Sequence, residues 1–126
     1  MKPVLLCCNL GDGDAKKLKE LCRRKDVRYR AVRPEEFSQR VGALCQAAEP
    51  LESPPDSGGF SEKILLFAHL GKNQMDVFFS EMRTARISPD ILKAVLTDYN
   101  RQWSFTRLSQ ELKREKEQFE RSSNPV

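Results

Sequence analysis

The sequence predicts an α/β domain made of two copies of one βαβα unit, and three observations carry that prediction. The first is a short apolar run, Ile64-Leu-Leu-Phe-Ala-His-Leu-Gly71, stopped by a glycine. The second is its echo sixty residues earlier, Val4-Leu-Leu-Cys-Cys-Asn-Leu-Gly11, in which Leu5/Leu65, Leu6/Leu66, Leu10/Leu70 and Gly11/Gly71 coincide. The third is that each run leads into a segment with helical apolar spacing and then into a second, weaker strand pattern.

Residues 4–10 are apolar apart from Asn9, which suits a strand covered on both faces. Gly11-Asp-Gly-Asp14 breaks the strand, and Asp14 is placed to cap a helix running from Ala15 to about Lys25. Leu18, Leu21 and Cys22 share its buried face. Val27 to Val32 alternates, with Arg28 and Arg30 opposite Val27, Tyr29 and Ala31, the pattern of a half-exposed edge strand. Pro34 with Glu35 and Glu36 opens a second helix, on which Phe37, Val41, Leu44 and Cys45 recur.

Glu49 to Glu62 holds Pro50, Pro54, Pro55, Gly58 and Gly59 among serines and acids, and reads as a mobile connection. The organisation expected is one domain over 1–126, made of half-repeats 1–48 and 62–121 joined by a flexible linker at 49–61. In the second half, a strand at 63–69 precedes a helix marked by Met75, Phe78, Phe79 and Met82. Ser88-Pro89-Asp90 turns into a strand from Ile91 to Thr97. Ser104 can cap the last helix, with Trp103 and Leu108 forming a hydrophobic staple. Phe105, Leu108, Leu112 and Phe119 form its apolar stripe, and residues after about Arg121 are expected to fray.

Strand–helix–strand units are right-handed and parallel. The two most apolar strands belong at the centre, so the expected sheet order is 2-1-3-4, parallel within each half. Two arrangements of the halves remain. An all-parallel sheet, the favoured one, would bring the loops 9–14 and 69–73 together at a switch point, where open α/β sheets bind ligands. A two-fold axis normal to the sheet would make strands 1 and 3 antiparallel and send those loops to opposite ends.

The second half also resembles a group of small bacterial proteins known only as a domain of unknown function. The resemblance rests on Ile64-Leu-Leu-Phe-Ala-His-Leu70 and on Leu92-Lys-Ala-Val-Leu-Thr97, followed by Asn100 and Trp103-Ser104. It covers roughly residues 63–117 and implies a shared fold, with no activity, cofactor or site. Gly71-Lys72 departs from it, standing where a small polar capping residue is expected.

The 126 residues carry a formal charge of +4. Residues 1–47 hold eleven Lys/Arg against six Asp/Glu, concentrated at Arg23, Arg24, Lys25, Arg28, Arg30 and Arg33. A basic edge attracts phosphate-bearing partners, and it also keeps an edge strand from pairing with another chain. Tyr29, the one aromatic nearby, points inward, so nucleic acid is disfavoured as a partner. No apolar run reaches the roughly 18 residues of a membrane span. The four cysteines lack metal-ligand spacing and read as buried hydrophobes in a reducing, cytoplasmic compartment. No metal or other cofactor is expected.

Candidate functional residues fall in two groups. His69, the sole histidine, with Asn9, Asp12, Asp14 and Asn73 would line a switch-point site if the sheet were all parallel. A histidine beside a carboxylate is a general base by type. The plainer reading is a ring bonded to a loop carbonyl. Tyr99, Asn100 and Trp103 form an aromatic, polar loop of the kind that anchors interfaces. A phosphate loop at Cys8–Asp14 is disfavoured, because Asp12 and Asp14 would repel the anion. The function expected is a non-enzymatic binding or regulatory module for a protein or small ligand. A homodimer is compatible with it. The alternatives are an enzyme with a switch-point site at His69 and Asp12/Asp14, and nucleic-acid binding through Arg23–Arg33.

Overall fold

A computed structural model describes residues 2–46 and 61–122 of the chain. Four strands, β1 (Val4–Cys8), β2 (Arg28–Ala31), β3 (Ile64–Ala68) and β4 (Leu92–Val95), form one sheet in the order β2-β1-β3-β4. The order is the one read from apolar content. β1 pairs parallel with β2 and β3 parallel with β4, but β1 and β3 run antiparallel. The all-parallel arrangement is therefore replaced by its alternative. Leu6 pairs with Leu66, its own repeat equivalent. The halves are thus related by a two-fold axis through that pair, normal to the sheet. Both arrangements bury β1 and β3 on both faces, so apolar content could not separate them.

Helices cover both faces. Leu5, Cys7, Leu65 and Phe67 pack under α1 (Asp12–Arg24) and α3 (Lys72–Thr84). Leu6, Cys8, Leu66 and Ala68 pack under α2 (Val41–Gln46) and α4 (Phe105–Ser122). The neighbouring cysteines 7 and 8 leave on opposite faces, as strand geometry requires.

The repeat extends to the helix ends. Val27 N–H donates to Cys22 C=O at 2.9 Å, and Ile87 N–H to Met82 C=O at 3.1 Å. Each bond closes a Schellman turn whose left-handed residue is Asp26 (φ 54°) in one half and Arg86 (φ 58°) in the other. Asn9 (φ 59°) and His69 (φ 66°) likewise hold left-handed backbone at the ends of the two central strands.

Several expectations are corrected. α1 starts at Asp12 with Gly11 as its N-cap, so Asp14 lies inside the first turn and does not cap. Asp14 Oδ1 instead accepts from Ser88 N–H at 3.3 Å, tying the α1 start to the turn after α3. The helix expected from Pro34 splits into a 3-10 turn at Pro34–Glu36 and α2. Its middle is diverted sideways. Phe37 C=O accepts from Thr106 N–H, Gln39 C=O from Phe105 N–H, and Trp103 C=O from Val41 N–H. Carbonyls used across this seam are lost to helix formation.

Arg30, expected on an exposed face, is buried and pairs with Glu36 at 2.6 Å. Phe119 is 72% exposed, because α4 outruns the sheet that buries Phe105 and Leu108. Ser104 does cap α4: its Oγ accepts from Arg107 N–H at 3.1 Å. The linker expected at 49–61 falls, apart from Ser61, outside the described residues, as does the fraying expected after about Arg121, apart from Ser122, which is still in α4.

Candidate functional site

The antiparallel centre disperses the first group of candidates. Cys8 pairs with Ile64 and Val4 with Ala68, so the C-terminal end of β1 meets the N-terminal end of β3. Asn9, Asp12 and Asp14 lie beyond one end of the central strands, and His69 and Asn73 beyond the other. Five residues at about 3.3 Å each separate the two ends. Asn9 Nδ2 donates to Glu62 C=O at 2.9 Å and so clips β1 to the start of β3. Asp12 is exposed in the first turn of α1, where an acid suits the helix dipole. His69 is exposed, and among the described residues its ring makes no ion pair and no hydrogen bond. Asn73 lines a small hollow of about 260 Å³ with Lys25, Val27, Leu70 and Val77.

The second group divides by role. Asn100 is buried and holds the turn after β4 together. Its Oδ1 accepts from Thr97 N–H at 2.8 Å, and its Nδ2 donates to Val95 C=O at 2.9 Å. It is therefore a structural residue. Trp103 is half-buried against the core, with the Arg107 guanidinium over its ring at 4.7 Å. Tyr99 stands out, 83% exposed.

The turn that presents Tyr99 also forms one wall of a cleft the sequence did not reveal. Arg40, Gly42 and Gln46 from the first half face Asp98, Arg101 and Gln102 from the second across about 660 Å³. Gly42 makes the contact feasible: a Cβ there would lie 3.1 Å from Arg101 O and 3.3 Å from Arg101 Cβ. The cleft is assembled from residues half the chain apart. Only an unusual glycine inside a predicted helix hinted at a close approach there.

The thiols are unsuited to nucleophilic work. Burial pushes Cys8 and Cys22 up to about 12 and Cys45 up to about 11, with Glu62 adding to the rise at Cys8. Burial also raises Cys7 well above the ordinary thiol value. All four are therefore protonated at neutral pH. Much of the basic group is already engaged. Arg24 and Lys25 pair with Glu81, Arg23 with Glu20, and Arg28 donates to Cys45 C=O. Among the described residues no three His, Cys, Asp or Glu side chains are grouped to hold a metal, and no helix is long and apolar enough to cross a membrane.

Fold and site together define a three-layer α/β protein with a duplicated βαβ core and a polar cleft where its halves meet. Residues 63–119 match the family described as a domain of unknown function (DUF3783), a span that takes in β3, α3, β4 and most of α4. The resemblance carried by the second half is thus to an uncharacterised domain. No curated protein and no solved structure matches the chain.

Proposed function

We propose that the chain is a binding module that holds a partner or small ligand at the junction of its two halves. The observation that carries this reading is the cleft between α2 and the turn after β4, with Tyr99 exposed on the same turn. A concave site of a few hundred Å³ with several polar groups is the usual form of a ligand seat. Arginine in its lining and an exposed tyrosine on the turn that forms one wall are side chains of the kinds that most often anchor contacts. The separation of His69 from Asp12 and Asp14 supports binding over catalysis. Four unbridged, protonated cysteines support a reducing, cytoplasmic setting.

The test is a thermal-shift screen against small metabolites, paired with affinity capture, on wild type and on Tyr99→Ser. The substitution removes the exposed aromatic on the turn between the cleft-lining Asp98 and Arg101, changes no charge and leaves the core intact. Binding in wild type that is lost in Tyr99→Ser, at an unchanged melting temperature, is the expected result. Binding of equal strength in both proteins would place the contact face elsewhere.

A further inference from the structure

The junction has a charge arrangement that points to the chemistry of its ligand. Five arginines among the described residues pair with a carboxylate: Arg23, Arg24, Arg30, Arg33 and Arg114. Arg107 lies on the Trp103 ring. Arg40 and Arg101, like Arg28, Arg83 and Arg86, have no such partner among the described residues, and what sets these two apart is that both line the same cleft. Asp98 lines it too, and it forms no ion pair with either of them. One guanidinium comes from each half, and Gly42 is what lets the Arg101 turn lie against α2. Gln46 and Gln102 add amide donors and acceptors.

Resting on the reading of this junction as the binding face, we propose that the cleft is an oxyanion seat. Arg40 and Arg101 together take one carboxylate or phosphate group of the ligand. Asp98 accepts from a hydroxyl or ammonium carried beside it. Guanidinium suits this role because its planar donors match the oxygens of either anion. The nearby carboxylate sets the selectivity. It penalises a ligand that is only anionic and favours one that also brings a donor, so bare anions bind more weakly than a hydroxylated phosphate monoester or hydroxy acid.

The experiment titrates the full chain with inorganic phosphate, glycerol phosphate, succinate and malate at ionic strength held constant with chloride. Trp103, the sole tryptophan and next to Gln102, gives the fluorescence signal, and calorimetry confirms it. Wild type is expected to show saturable binding of at least one hydroxylated probe, tighter than that of its unhydroxylated counterpart. Arg40→Gln and Arg101→Gln should each weaken it by roughly tenfold, as loss of a charge-assisted hydrogen bond does. Arg83→Gln, a cation outside the cleft, should leave it unchanged. Which probe binds tells phosphate from carboxylate. No saturable binding by any probe overturns the proposal, as does an equal loss in Arg83→Gln or a loss in only one of the two cleft variants. A ligand or partner lost in Tyr99→Ser by a protein that ignores all four probes would overturn the oxyanion seat and leave the binding face standing.

Discussion

The two halves solve the same structural problem with different residues. In each, a buried polar side chain ties the end of the outer strand to the turn beyond it. Glu36 Oε1 accepts from Arg33 N–H at 3.2 Å in the first half, and Asn100 Oδ1 accepts from Thr97 N–H at 2.8 Å in the second. The second oxygen of Glu36 binds the buried Arg30, while the amide of Asn100 donates to a backbone carbonyl. One half builds its tie around a buried ion pair, the other around a neutral amide. The geometry is therefore set by which backbone groups need partners, and the chemistry that supplies them is free to differ. In the second half α4 runs eighteen residues and carries Phe119 beyond the sheet.

The comparison breaks or sharpens at defined positions. The largest effect is expected at Glu36. Glu36→Ala removes the partner of a buried guanidinium and should cost about 3–5 kcal/mol in urea unfolding. Asn100→Ala, which strands neutral groups, should cost about 1–3 kcal/mol. Equal losses would show that the two ties are energetically alike despite their chemistry. Next come Leu6→Ala and Leu66→Ala, both fully buried on the axis. Each should cost about 2–5 kcal/mol, and the two should agree closely, since they empty equivalent space. A wide gap would mean that the halves do not share one core.

A smaller gain is expected from Arg86→Gly. A non-glycine residue in left-handed backbone is strained by about 1–2 kcal/mol. The greater chain entropy of glycine offsets part of that relief. A rise of roughly 1 kcal/mol or less in stability would confirm the strain, and a fall would show that the arginine side chain contributes more than its backbone costs.

The smallest effect concerns Glu81, which holds α1 to α3. Its hydrogen bond from Lys25, helped by the charges of Lys25 and Arg24, keeps its carboxyl below the usual range. The stabilisation is present above the unfolded carboxylate range and is lost as pH falls through the lowered folded value. Glu81→Gln should therefore change stability slightly at pH 7 and not at all in strong acid, read as the melting temperature against pH.

Much of the fold was legible because it depends on spacing. The strands, their order and the Ser104 cap come from apolar runs and turn chemistry that local geometry enforces. The Schellman turns were not legible. Their left-handed positions hold Asp26 and Arg86 instead of the glycine that usually marks such a turn. The interruption of the second helix was hidden as well, since Phe37, Val41, Leu44 and Cys45 keep helical spacing across it. What diverts the chain is a seam with residues 103–106, far away in sequence. Of the candidate residues, Tyr99 proved exposed and the neighbouring Asn100 proved structural. An aromatic, polar loop looks the same in sequence whichever of its members turns inward.

By itself the sequence determined that there are two like units, which strands are central and which faces of the helices are apolar, because period and composition act over a few residues. Only the tertiary structure decided that the units meet about a two-fold axis, with β1 and β3 antiparallel. Both directions bury the same side chains, and pairing across the axis is chosen by contacts sixty residues apart. That choice sent His69 away from Asp12 and Asp14, and in the same fold Arg40 stands with Arg101 at one cleft.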